Sequence, residues 1–195
     1  MQLTRATTLA VEDGRALARY ARAVIASTLG GPRPTPPTLA QGDELAATFV
    51  TLRRGPRLHG CMGSLSPRTT LLEDVAHNAS AAAFLDPRAT SLTLADVPAL
   101  DVEVTVLGPL APIAARDEEQ AVAALRPGVD GVVVAWHGHR GTLLPQVWDE
   151  LREPRAFLAH VKLKAGLPEG FWAPDLQVFR YEAQRFDDPP GADAA

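Results

Sequence analysis

The chain has 195 residues, of which 46% are hydrophobic, and its formal net charge is -4. This length and apolar content suit one globular domain or two closely packed lobes that fold without metals or disulfides. The negative balance gives no general attraction for nucleic acid, and no apolar stretch approaches the roughly 20 residues that a membrane-spanning helix needs. One cysteine cannot form an internal disulfide and the N-terminus shows no apolar signal segment, so we expect a cytoplasmic location.

The chain is predicted to begin with a helix and to end with a disordered tail. Apolar residues at helical spacing predict the first helix over residues 9–29, with Gly30 placed to cap it. The proline-rich segment 31–37 cannot continue a helix and is predicted as an extended connector. Residues 45–186 are expected to form an α+β core, whereas the polar tail 187–195 is expected to be disordered.

Hairpins and helices are predicted to follow one another through the core. Strands are expected over residues 45–52, 58–65, 101–106, 132–136, 142–144 and 176–181. Helices are expected over residues 67–85, 117–125 and 154–165. The alternation within 101–106 indicates one wet face and one buried face. Because the strands arrive as adjacent hairpins rather than as β-α-β units, the predicted fold class is α+β, with mostly antiparallel sheets, flanking helices and two closely packed lobes.

The only cysteine, Cys61, lies in a glycine-containing run on the second predicted strand. Strand residues two apart project to the same face, so His59 and Cys61 are predicted to be neighbours. An adjacent imidazole can lower the pKa of a thiol, which makes both residues candidates for catalysis in a transferase or hydrolase. Gly60 and Gly63 would leave the opposite face bare for a ligand. Alternatively, the glycines serve a bulge or tight crossing, and Cys61 is a small core residue.

A ligand-binding or partner-binding surface around the cysteine is a third interpretation. Arginines bracket the cysteine run and form either a basic rim or an ordinary solvated turn. The candidate binding residues are Leu58, Gly60, Met62, Gly63, Ser64, Arg54, Arg57, Arg68, Pro145 and Gln146. The amide of Gln146 either orients a ligand near Cys61 or satisfies backbone groups at a corner.

Several other site types lack their usual sequence signals. No Cys-x-x-Cys, His-Glu-x-x-His or glycine-rich nucleotide-binding motif occurs, so we expect neither a metal nor a cofactor. RNA binding ranks last because the arginines have no interleaved aromatic residues. Lysine occurs only at Lys162 and Lys164 while arginine, alanine and proline abound, which suggests a GC-rich bacterial genome.

Seven separated motifs together resemble the AMMECR domain family. In chain order they are Phe49-Val50-Thr51-Leu52, Leu58-His59-Gly60-Cys61-Met62-Gly63, Asp86-Pro87-Arg88, Val104-Thr105-Val106-Leu107, Pro127-Gly128-Val129-Asp130-Gly131, Leu144-Pro145-Gln146-Val147-Trp148 and Lys164-Ala165-Gly166-Leu167-Pro168. The resemblance covers almost the whole chain and implies one AMMECR domain over residues 1–186, with an α+β fold in two lobes. The family pattern has arginine where this chain has His59, and Arg54 or Arg57 could take its place in holding an anion.

The resemblance also implies partners. Bacterial and archaeal members are often named AmmeMemoRadiSam system protein A, which points to a Memo-like protein and a radical SAM protein. We therefore expect an accessory or binding module that acts with these partners, or on a small anionic ligand, through the Cys61 hairpin. The alternative is a small cysteine-dependent transferase or hydrolase with Cys61 as nucleophile and His59 as its activator.

Overall fold

The computed structural model describes residues 8–191, which form two units. The first unit contains residues 8–107 and 184–191, and the second contains residues 108–183. The helices are Val11–Thr28 (α1), Leu71–Phe84 (α2), Glu118–Ala124 (α3) and Pro154–Lys164 (α4). The strands are Leu45–Ala46 (β1), Thr48–Arg54 (β2), Arg57–Gly63 (β3), Thr69–Thr70 (β4), Asp101–Leu107 (β5), Ala111–Pro112 (β6), Gly131–Trp136 (β7), His139–Leu143 (β8), Gln177–Tyr181 (β9) and Ala183–Asp188 (β10). The predicted α+β class is confirmed.

The first unit is built on a four-stranded sheet with the strand order β10-β5-β2-β3. Strand β2 runs antiparallel to both of its neighbours, and β1 pairs with β4 in a separate short ribbon. Alternate residues of β5, such as Val102 and Val104, are fully buried in a core with Leu17 and Ile25 of α1 and Val75 of α2. Helices α1 and α2 therefore pack on one face of this sheet.

The second unit has its own four-stranded sheet, in the order β6-β9-β7-β8, with antiparallel pairs throughout the described ladders. Its core includes Trp148, whose ring stacks on Phe157 with centroids 3.8 Å apart. The indole N–H of Trp148 donates to the carbonyl oxygen of Asp130 at 2.7 Å, so the polar end of this buried ring is satisfied. Within residues 8–191, every helix is too short or too polar to cross a bilayer.

Two predicted boundaries need correction. The second helix begins at Leu71 rather than at Pro67, because Thr70 and Glu73 form a reciprocal capping box. The predicted tail is also wrong at its start, since Asp187 and Asp188 belong to β10. Asp188 is buried and accepts a hydrogen bond from Arg22 at 2.5 Å, a long-range partner that a local reading of a polar segment could not supply. Residues 192–195 of that prediction lie outside the described residues.

Candidate functional site

Cys61 lies on β3, the edge strand of the first unit's sheet, and is half-buried. Its residue partner on β2 is Thr51, whose hydroxyl donates to the Cys61 sulfur at 3.3 Å. The backbone N–H of Cys61 donates instead to the carboxylate of Asp86 at 2.8 Å. Both the side chain and the main chain of the cysteine are thus held by named polar groups.

Asp86 follows the last turn of α2 and is buried against the edge of β3. Its carboxylate accepts hydrogen bonds from the backbone and the guanidinium of Arg88 at 2.6 to 2.9 Å, as well as from Cys61. The Arg88 side chain, with smaller contributions from these backbone N–H groups, holds the pKa of Asp86 well below its usual range despite burial. A charged carboxylate therefore accepts the hydrogen bond from the Cys61 N–H at the unpaired edge of β3.

His59 does not sit beside Cys61 as strand alternation predicts. Arg53 pairs with Leu58 while Leu52 pairs with Gly60, so His59 is the extra residue of a β-bulge. The imidazole is 4% exposed, and its Nε2 lies 3.2 Å from the carbonyl oxygen of Ala83 in α2. The bulge breaks the two-residue period on which the predicted pair rested, and the ring packs on the helix instead.

The glycines of the cysteine strand are packed rather than bare. A Cβ added at Gly60 would lie 2.1 Å from the backbone oxygen of Ala82, and one added at Gly63 would lie 2.3 Å from the ring of Phe49. Between them, Met62 packs against the core of the first unit. Helix α2 fills the space beside Gly60 and Phe49 fills the space beside Gly63, which favours the alternative of a tight crossing over an open face for a ligand.

Three polar residues form a row across the sheet on the face opposite the aliphatic core. Thr51 pairs with Cys61 on one side and with Glu103 of β5 on the other, and paired residues share a face. We call Cys61, Thr51 and Glu103 the Cys61 row. Glu103 is 8% exposed and Thr51 is 6% exposed, so the wet face predicted for this strand is in fact buried.

Glu103 carries a carboxyl group into the buried part of the sheet. Its carboxylate accepts from Thr105 at 3.3 Å and lies 3.8 Å from the guanidinium of Arg185. Burial raises the pKa of Glu103, and the positive charge of Arg185 only partly opposes this effect. The sequence interpretation missed this residue because an acid that alternates with valines is typical of a solvated strand face.

Asp74 forms a second buried polar cluster at the other end of the cysteine strand. One oxygen, Oδ2, accepts from the N–H and hydroxyl of Thr48, from the Ser64 hydroxyl and from the Asn78 amide, all at 2.7 to 2.9 Å. These contacts join β2, the residue after β3 and helix α2. Ser64, predicted as a binding residue, here serves to fix the end of the strand.

The remaining predicted binding residues are spread over both units. Arg54 forms an ion pair with Asp96, while Arg57 and Arg68 are exposed and Leu58 is half-buried. Pro145 and Gln146 begin a 3₁₀ helix, Pro145–Asp149, in the second unit, and both are half-buried. Within residues 8–191, no group of three or more histidine, cysteine or acidic residues is arranged to hold a metal ion.

Replacement of Glu103 by glutamine is expected to stabilise the protein by about 1 kcal/mol at neutral pH, because a neutral amide avoids burying a charge. The exposed Arg185 ion pair that is lost contributes little. Because the pKa of Glu103 is raised in the folded state, its contribution to the free energy of unfolding is fully present below the unfolded pKa of about 4.3. This contribution declines as pH rises through the folded-state pKa. Urea unfolding at several pH values from acid to neutral measures the free energy of unfolding of Glu103→Gln and the wild type. Glu150→Gln is the control, because Glu150 is exposed. Parallel pH profiles for Glu103→Gln and wild type would contradict it.

A family model described as AMMECR1 matches residues 18–186, which is most of the chain. The chain belongs to the AMMECR1 family. The match confirms the resemblance carried by the seven sequence motifs and spans both structural units.

Curated relatives and a solved structure agree with this assignment. Protein MJ0810 of Methanocaldococcus jannaschii is 35% identical over 189 residues, and the alignment covers 92% of each chain. A protein of Thermofilum pendens is 37% identical over 196 residues, covering 91% of each chain. The crystal structure of the uncharacterized protein PH0010 from Pyrococcus horikoshii has a TM-score of 0.84 and 33% identity, and covers 93% of this chain and 95% of that one. These relatives are archaeal, so the bacterial origin expected from composition stays a prediction.

Proposed function

We propose that this AMMECR1-family chain is a binding module that acts with a Memo-like protein and a radical SAM protein, and that the Cys61 row contacts a small anionic ligand. The observation that carries the proposal is the burial of a polar row outside the aliphatic core. Glu103 is buried and its pKa is raised by burial, and ionisable groups with shifted pKa values cluster at functional sites.

The charges around the row support an anionic ligand. Arg88 is bonded to the same Asp86 carboxylate that holds the Cys61 N–H, and the positive charges of Arg185 and Arg53 oppose the raised pKa of Glu103. Guanidinium groups are the preferred partners of carboxylate and phosphate. A ligand of that class would find several positive groups beside hydrogen-bonding side chains of Thr51 and Cys61.

The position of His59 favours binding over catalysis by the predicted pair. Its Nε2 faces the carbonyl oxygen of Ala83, and the hydrogen-bond partner of the Cys61 sulfur is Thr51. A cysteine nucleophile needs a nearby base or another means of forming the thiolate. The histidine, buried against α2, does not supply this directly.

The contacts of the Cys61 row also favour a second candidate function, a cysteine-dependent transferase or hydrolase. The Thr51 hydroxyl donates to the sulfur, and Glu103 lies on the same row as a carboxyl group of raised pKa. In this function Cys61 is the nucleophile, and Glu103 replaces His59 as the acid-base group. The two functions differ in what they require of the sulfur atom.

Calorimetric titration with the purified Memo-like protein and radical SAM protein of the same organism tests the proposal. Binding of at least one of them to the wild type is expected, with Cys61→Ser within about twofold and Cys61→Phe weaker by about tenfold or more. Thermal unfolding of Cys61→Phe checks that it is folded, and Glu103→Gln provides a second variant of nearly unchanged shape. Absence of binding to either partner would refute the module.

The rate of Cys61 alkylation as a function of pH separates the two functions. Slow labelling that rises near the ordinary thiol pKa of about 8.5 supports the binding module. Fast labelling at neutral pH that is lost in Thr51→Val supports the enzyme. The exposed Thr90→Val is the matched control, because it makes the same change away from the sulfur.

A further inference from the structure

A pocket of about 560 Å³ lies where helix α1 meets the edge strand β10 in the first unit. Its lining includes Val11, Arg15, Arg19, Arg185, Asp187 and Pro189. This volume is within the range of about 300–1,000 Å³ that is usual for small-molecule sites. The Cys61 row and the predicted binding residues do not contribute to this lining.

The charges of the pocket are predominantly positive. Arg15 and Arg19 are exposed and stand one helical turn apart, so their side chains are neighbours on the surface of α1. Arg185 of β10 also lines the pocket, but its guanidinium lies 3.8 Å from Glu103, on the face of the sheet opposite α1. The acidic Asp188 also lines the pocket, but its carboxylate is bonded to the buried Arg22. Arg15 and Arg19 are therefore the positive groups of the α1 wall, and Arg15 also forms an exposed ion pair with Glu12 at 3.6 Å.

Contacts between α1 and β10 fix the two walls of the pocket. The buried Arg22 bonds both the side chain and the backbone carbonyl of Asp188, at 2.5 and 2.6 Å. Gly14 allows close approach of the helix, because a Cβ there would lie 2.0 Å from the ring of Phe186. The backbone of Leu9, just before the helix, exchanges two hydrogen bonds with the Gln184 amide. The arginines therefore project from walls that are held in place before any ligand binds.

We propose that this α1–β10 pocket binds a small organic phosphate, with Arg15 and Arg19 on the phosphate group and Val11 against the organic part. Arginine forks bind phosphate oxygens in pairs, and a dianion uses more than one guanidinium, whereas a monocarboxylate is satisfied by one. Val11 is 62% exposed on the first turn of α1, so the pocket also offers an apolar wall.

Calorimetric titration of the full chain with phenyl phosphate, inorganic phosphate and benzoate tests this site. Phenyl phosphate is expected to bind more tightly than either of the other two. Loss of one charged contact in Arg15→Gln or Arg19→Gln is expected to weaken phenyl phosphate binding by about tenfold, and high salt should weaken it further. Both arginines are exposed, so both variants should unfold at the wild-type temperature.

Arg33→Gln is the matched control, because it removes an exposed arginine of the same unit that does not line the pocket. The site is overturned if phenyl phosphate does not bind, if Arg33→Gln loses binding as much as Arg19→Gln, or if benzoate or inorganic phosphate binds equally well. Cys61→Ser should leave phenyl phosphate binding unchanged, which separates this pocket from the site at the Cys61 row.

Discussion

Replacement of Gly60 by alanine is expected to destabilise the protein by about 3 kcal/mol, the upper part of the range for overpacking a well-packed core. The added Cβ would lie 2.1 Å from the backbone oxygen of Ala82 and 3.1 Å from the Cβ of Asp86. A backbone oxygen inside a helix cannot move away as the end of a flexible side chain can. Helix α2 and the cysteine strand must therefore separate, which urea unfolding followed by circular dichroism measures.

Gly170→Ala is the control for this substitution. A Cβ at Gly170 would meet no atom within 4 Å, and the residue is exposed. Its stability should stay within about 0.5 kcal/mol of the wild type, as for most surface changes. Equal stability of Gly60→Ala and Gly170→Ala would show that α2 does not pack closely against β3 at Gly60.

Replacement of Asp86 by alanine is expected to cost about 3 kcal/mol at neutral pH, because it leaves the partly buried N–H of Cys61 without its acceptor and removes the bonds to Arg88. The pKa of Asp86 is lowered in the folded state, chiefly by the Arg88 side chain. Its contribution is therefore present above the unfolded pKa of about 3.9 and is lost as pH falls through the folded value. The stability gap between wild type and Asp86→Ala should narrow below a pH of about 4.

Asp43→Ala is the matched control, since Asp43 is exposed in the same unit. Denaturant unfolding at several pH values gives the stability gap, and amide hydrogen exchange at Cys61 reports the edge directly. Exchange at this amide should be faster in Asp86→Ala than in Asp43→Ala. A stability gap that stays constant into strong acid would argue against a charged carboxylate at this position.

Much of the first unit could be predicted because its signals are local. The valines of β5 alternate with a period of two residues, and the apolar residues of α1 follow the helical period. Both elements lie close to their predicted bounds. The hairpin of β2 and β3 was predicted from turn residues between two apolar runs. The bulge at His59 was not predicted, because it depends on the pairing of β3 with β2 and on the Ala83 carbonyl of a later helix.

Of the three residues of the Cys61 row, only Cys61 was predicted from the sequence. A single cysteine between glycines draws notice in any sequence, but the neighbours that hold it come from elsewhere. Thr51 is ten residues away, and Asp86 is 25 residues away. Glu103 joins the row through the register of a third strand. No pattern within one element encodes which strand will lie beside it.

The periods of the main helices and strands, the α+β class and the family follow from the amino-acid sequence alone, because apolar spacing and ordered motifs are visible along the chain without the fold. The burial of the polar face of β5, the strand β10 and the pocket between α1 and β10 depend on the tertiary structure. The physical reason is distance along the chain. Arg22 and Asp188 are separated by 166 positions, and their pairing exists only after the sheet has brought both ends of the first unit together.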